Sequence, residues 1–521
     1  MQTVTNQFHE SAQGNVIPIS WLARISFDKQ FDDTVEFFTF DSSVFDGGDL
    51  LAPNDDNPIS YWDYYRYLDY TDRIVNMEWS RQIEFPYSVS AAMADFTMNN
   101  FDDYFTPNSG SPIDQYIIPK RPVRLYAGYQ NAETIQQFVG LTEKAPIRDE
   151  NSKTANFHCI DFLSVIFTLE LNETVAMQNV TTDVVLAAIF TQFGLSPSSY
   201  SLAQGRNRIP FLFFEKGSNA GKAIRDLMQA EMGNLWIDEQ GVIRFEQRLL
   251  AVETPVMSFD NNNTVDATSL GDDHIINYVK ITSDVREVQN HQVVFSNARE
   301  PGIPWSLSND AFIIPANSSR PYESDLEDPN LTIDEPVIGE QENTSWLTAV
   351  DSEGNTVSSN ISITGSVLNT NQFITFIENN NSFPIEIDQL ELWGQPAKIV
   401  NTINFRARDD ESIDKYEEQV LDITNNFFGS VTNCDSFART ILDAYSENDP
   451  FIELNVKGDY SLQLGDIIDV DVRSFIGEYK ITGITNVLNP YECKIRASKY
   501  TPRDWFTFDV DEFDGPALLA P

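Results

Sequence analysis

The feature that most constrains this chain is a run of short, alternating apolar segments separated by turn residues. It is clearest in "RIVNMEWSRQIEFPYSVS", Arg73 to Ser90. Alternation at period 2 puts one side chain inward and the next outward, which describes a strand with one buried face. "WLARISF", "TVEFFTF" (Thr34–Phe40), "ADFTMNNFDDYFTP" (Ala94–Pro107), "RPVRLYAGY" and "TIQQFVGLTEKAPI" continue the pattern at short spacing. Strands recurring so closely predict a barrel or a sandwich over residues 1–146. Inside this region a loop from about 47 to 66 is dense in Asp, Asn, Pro and Tyr. Loops of that length usually carry contacts.

The pattern changes over 147–250. "TTDVVLAAIFTQFGL" places Val185, Ile189 and Phe193 at i, i+4, i+8, the spacing of one helix face. "GSNAGKAIRDLMQAEMGNLWIDEQGVIRF" reads as a helix with Ala220, Ile224, Leu227, Met228 and Glu231 at helical spacing. Ser218 or Asn219 is expected to cap its start and Gly233 its end. A hairpin turning at "EQG" follows, with Gly241 supplying a positive φ. Val242, Phe245 and Trp236 are expected to pack on the helix face of Ile224 and Leu227. Strands return at 251–290, with "HIINYVKITSD" the clearest. A polar stretch then leads into the β pattern of Asn360 to Ile399, in which "NTNQF" and "ENNNSFP" are turns. From 400 to 505 the chain resumes strand, helix ("CDSFARTILDAYS") and hairpins, and an acidic tail is expected over 506–521.

Composition limits the chemistry. With 34 Lys plus Arg against 79 Asp plus Glu, the 521-residue chain carries a formal charge of −45. Such a surface repels nucleic acid, and no stable nucleic-acid binding is expected. The largest basic cluster, "PKRPVR" (Pro119–Arg124), reads as a strand flank. The length suits about three to five domains. An apolar fraction of 41% can fill their cores, and 36 Phe and 19 Tyr suit sheets. Cys159, Cys434 and Cys493 stand far apart, so no disulfide framework follows. No signal peptide and no membrane-spanning run is read in the sequence.

"GSNAGKA" departs from a phosphate loop: only three residues separate Gly217 from Gly221, and Ala223 stands where a hydroxyl should hold Mg²⁺. His9, His158, His274 and His291 stand apart, and His158 and Cys159 point to opposite faces of a strand. "GDDHI" (Gly271–Ile275) reads as turn chemistry, and "FDVDEFDG" lacks the spacing of a calcium loop. Acid pairs such as Asp32–Asp33, Asp102–Asp103 and Asp409–Asp410 do not stand out from so many acids. No catalytic, cofactor-binding or metal-binding residue is assigned, and no cofactor is expected. A polysaccharide-degrading enzyme, using acids such as Asp95 or Asp102 in a groove, is the first rival reading. The second is a carbohydrate-binding module built on residues 291–399, where Trp393 in "ELWGQPA" could stack on a sugar.

The order of segments resembles the hub protein at the distal end of bacteriophage tails. The resemblance rests on "RPVRLYAGY…ETIQQFVGLTEKAPI", "CIDFLSVI" before "VVLAAIFTQFGL", "AIRDLMQAEMGNLWIDEQGVIRFEQR", and "LQLGDIIDVDV…GEYKITGITNVLNPYECKIRAS". It covers about 1–290 and 400–505. It implies a multidomain, mainly β chain with α+β: two similar tube-forming β-barrel domains, a small α+β domain and an inserted β-sandwich. The expected domains are 1–146, the first barrel; 147–250, α+β; 251–290 with 400–505, the second barrel with associated helices; and 291–399, the insertion. The resemblance further implies a non-enzymatic virion protein, assembled in the host cytoplasm. It would form a homotrimer whose six barrels adapt a sixfold tail tube to a threefold tip and enclose the DNA channel. Expected partners are the tail tube or distal tail protein ring, tip, fibre or receptor-binding proteins and a tape measure protein, with transient passage of DNA. The chain also departs from the family by its insertion, expected on the outside, and by the lack of a long C-terminal fibre or enzyme domain.

Overall fold

The computed structural model describes residues 1–12, 19–28, 65–83, 88–130, 132–173, 175–247, 254–270, 275–290, 292–298, 313–325, 337–338, 345–357, 359–369, 372–447, 451–457, 459–488 and 491–500. The expected strand at 34–40, most of the 47–66 loop, Asp32–Asp33, His274, His291 and the 506–521 tail lie outside them. The described chain is mainly β, with several sheets and few helices.

One sheet dominates, with fourteen strands among the described residues. Its first half winds around a core that includes Met77, Trp79, Phe96, Phe105, Leu125, Tyr129, Phe138 and Phe157. Strand Ile74–Gln82 shows how the sequence dictates this. Met77, Trp79 and Arg81 are buried while Glu78 and Gln82 are exposed, as period 2 requires. The second half of the sheet, from strands such as Phe451–Val456, Ile467–Val472 and Tyr491–Lys499, encloses a separate core that includes Ile452, Leu454, Val470, Ile481 and Ile495.

The two lobes are joined by hydrogen-bonded backbone. Strand Phe475–Leu488 pairs along one edge with Ile467–Val472 as far as Lys480. It then changes partner on that edge. Gly483 to Val487 pair antiparallel with Gln82 to Glu78 of the first lobe. The change coincides with a bulge between Ile481 and Gly483 in its pairing with Tyr491–Lys499. A bulge bends a strand and re-aims it, which lets one strand serve both lobes.

The α+β lobe packs helices Thr182–Gln192 and Ala220–Glu231 on short sheets. Asn219 caps the second helix, its side chain accepting the Lys222 N–H at 2.8 Å. The stop differs from expectation. Met232, not Gly233, adopts the left-handed conformation, with φ 56°. Gly233 is needed for space instead, since a Cβ there would sit 2.6 Å from the Phe245 ring and 2.9 Å from the Glu246 carbonyl. The hairpin forms as expected, with Gly241 at φ 90°. Its packing is partly corrected. Leu235, Ile237, Ile243 and Phe245 join the core of Ile224 and Leu227, whereas Trp236 points to the opposite face and packs on the core of the second lobe. Val242 lies in the turn between the two strands, half-buried.

The remaining sheet is built on one strand, Ile385–Arg408. Its 24 residues span roughly 80 Å at the rise of a strand. Its C-terminal half pairs with Tyr278–Val288, against which helix Val431–Tyr445 buries Phe437, Ile441 and Tyr445. Its N-terminal half pairs with Gln292–Ala298 and Ser345–Val350. The backbone is therefore strand on both sides of residue 399. A three-stranded sheet, Ser318–Asp325, Gln372–Asn379 and Ile361–Asn369, completes the described fold.

Candidate functional site

The residues singled out for chemistry are scattered and structurally occupied. In "GSNAGKA", Gly217 has φ 84° and serves a turn. Gly221 lies against the end of the short helix Phe162–Ile166, where a Cβ would meet the Phe167 carbonyl oxygen at 2.7 Å. The Lys222 ammonium is 77% exposed and 3.7 Å from Asp226. This is close helix packing, not a cradle for phosphate.

Asp102 makes a bidentate pair with Arg73, both bonds 2.8 Å, and the guanidinium also lies 4.3 Å from the centre of the Tyr104 ring. The hydrogen bonds from Arg73 hold the Asp102 carboxyl below the usual range. Asp103 is the next turn residue, with φ 57°. Asp409 caps helix Asp410–Tyr416, accepting the Glu411 and Ser412 N–H groups at 3.1 Å each. In the "PKRPVR" cluster, Arg121 donates to the Phe27 carbonyl at 2.8 Å and Arg124 lies over the Tyr67 ring. Cys159, Cys434 and Cys493 are buried free thiols. Among the described residues no group of three His, Cys, Asp or Glu is placed to hold a metal ion. No helix among them is long and apolar enough to cross a membrane. The Trp393 side chain lies outside the described residues.

Two arrangements do stand out. The first is on the solvent face of the sheet, across the joint between the lobes. Cross-strand register aligns Glu492, Val487, Glu78, Asp95 and His158 in one row. His158 Nδ1 lies 2.7 Å from Asp95 and its Nε2 lies 4.0 Å from Glu143. Glu78 and Asp95 stand directly opposite, an unfavourable pairing of like charges. The row thus holds three carboxylates, of which Asp95 pairs with His158 and Glu492 lies 3.5 Å from the Lys494 ammonium.

The second is the buried junction of three lobes. Arg81, 6% exposed, donates to the Glu239 carboxylate from the α+β hairpin. The same carboxylate accepts from Gln463 of the second lobe. The Glu239 carbonyl takes a 2.8 Å bond from Gln136 of the first lobe. One acidic residue thus meets all three. Breaking a buried, hydrogen-bonded pair leaves a charge uncompensated, so this joint is specific in geometry. Nearby Asp161 is fully buried, accepting from the Ala92 N–H at 2.7 Å and the Ser164 N–H at 3.2 Å. Burial raises its carboxyl from 3.8 to about 6. Arg81 and Glu239 were missed in the sequence. The available signal was an arginine in an inward slot of "MEWSR", two residues after Trp79.

Comparison with known proteins gives structural neighbours only. No family model and no curated protein sequence matches the chain. Among solved structures, the chain is similar to a tail protein from Neisseria meningitidis, with a TM-score of 0.46 and 7% identity over 92% of this chain and 96% of that one. It is also similar to the 43 kDa tail protein of prophage MuSo2 from Shewanella oneidensis (TM-score 0.43, 10% identity, 83% and 96% covered). A third is the prophage tail protein gp18 from Listeria monocytogenes (TM-score 0.41, 11% identity, 84% and 93% covered). All three are described as tail proteins, two of them of prophages, and other similar chains include a type VI secretion system component and PdpA–VgrG complexes of Francisella.

Proposed function

We propose that this chain is a structural protein of a phage tail tip, a trimeric hub whose two sheet lobes form part of a ring around the DNA channel. The observation that carries the reading is the single sheet running through both lobes by way of Glu78–Gln82 and Gly483–Val487. A wall made from one hydrogen-bonded sheet fixes the angle between its halves, as a ring segment requires. Glu492, Glu78 and Asp95 place three carboxylates on one face of that wall, beside Lys494 and His158. Facing the bore, these acids repel the phosphate backbone and keep passing DNA from sticking. In this reading three copies present six lobes to a sixfold tube. The sheet based on Ile385–Arg408 projects away from the wall toward neighbouring tip proteins.

Light scattering on the purified chain tests the ring. A mass of three chains supports the hub. A monomer that stays monomeric when mixed with the tail tube or distal tail protein contradicts it.

A further inference from the structure

We propose that residues 2–12 form a releasable strap over the joint between the lobes, holding in place the second-lobe turn Asp459–Asp466. This goes beyond the hub reading and does not depend on it. The turn lies between the first lobe and the α+β hairpin: Gln137 donates to the Tyr460 carbonyl at 2.9 Å, and Gln463 bonds Glu239. From the strap, the Gln2 N–H donates to the Ser461 carbonyl at 2.6 Å. His9 Nδ1 lies 2.7 Å from Asp459 Oδ2. The other oxygen of Asp459 accepts from Ser461 N–H at 2.9 Å and Ser461 Oγ at 2.6 Å. His9 thus fixes a buried carboxylate, and that carboxylate fixes the turn. Within the strap helix, Asn6–Ala12, Phe8 is fully buried and meets Tyr129 edge-on at 4.7 Å. Tyr129 in turn lies 5.5 Å from Tyr460.

Phe8 and Ala12 seat the strap helix on the first-lobe core, but the polar contacts that tie the strap to that lobe are exposed. The Thr5 N–H and hydroxyl both bond Glu133, each at 2.7 Å, at the surface. Surface polar contacts are individually weak, whereas the β pairing at Gly483–Val487 is part of a continuous sheet. Loss of the strap contacts is therefore expected to loosen the turn before the sheet.

Hydrogen exchange on the full chain tests this, comparing the native protein with the double variant His9→Ala, Glu133→Ala. The amides of Ser461, Leu462 and Gln463 are expected to exchange at least about tenfold faster, with those of 78–82 and 483–487 unchanged. His9→Gln, which keeps a donor for Asp459, should restore protection. Unchanged protection in the turn overturns the proposal. So does faster exchange throughout both lobes, which would make these residues part of the global fold and not a strap.

Discussion

At the scale of single residues, buried carboxylates carry the sharpest predictions. Burial lifts the Asp161 carboxyl from 3.8 to about 6. Its folded value lies above its unfolded one, so the folded state takes up a proton first. Stability from this group rises as pH falls from about 6 toward 3.8, and is flat above that window. Relative to Asp161→Asn, the native chain should gain about 2 kcal/mol between pH 7.5 and 4.5, read from denaturant unfolding of both proteins. Glu231 is also fully buried and accepts from Thr182 Oγ1, Arg206 N–H and Asn207 N–H at 2.8 to 2.9 Å. Glu231→Ala leaves those donors without this acceptor and should destabilise the α+β lobe by about 3 kcal/mol or more in the same assay.

At the scale of elements, the helix after "GSNAG" separates packing from ligand binding. Ala is ordinarily the better helix residue by about 1 kcal/mol. Gly221→Ala should instead destabilise by about 1–3 kcal/mol, because its Cβ would stand 2.7 Å from the Phe167 carbonyl oxygen. Lys222→Ala should be within about 0.5 kcal/mol of neutral, since its ammonium is exposed. Thermal or denaturant unfolding checks both. A phosphate loop would show the reverse, with Lys222 important for ligand and Gly221 tied to it. The elements themselves were legible in the sequence. Helical spacing identified Val185 and Ile189, and the "EQG" turn identified the hairpin, because both signals are local. The long strand Ile385–Arg408 was not legible as one element, since its polar and apolar residues answer to different neighbours along its length. Trp236 was assigned to the wrong core for a similar reason. Alternation says that it opposes Leu235 and Ile237, but only tertiary structure shows a second core on its side. The Arg81–Glu239–Gln463 junction joins residues far apart in sequence, and no periodicity connects them.

At the scale of the molecule, one sheet passes from one lobe to the other and presents a face with Glu78, Asp95 and Glu492 across the joint. Negative charge across the joint is predicted to matter for passage of DNA and little for folding. Glu78→Gln with Asp95→Asn should leave unfolding within about 1 kcal/mol of native, or raise stability by relieving the opposed pair. The most direct measurement is electron cryomicroscopy of the assembled particle. The expected result is three copies in a ring, with Glu78, Asp95 and Glu492 facing the central bore. A particle in which that row faces outward, or in which the two lobes of one chain do not share the wall of a channel, would contradict it.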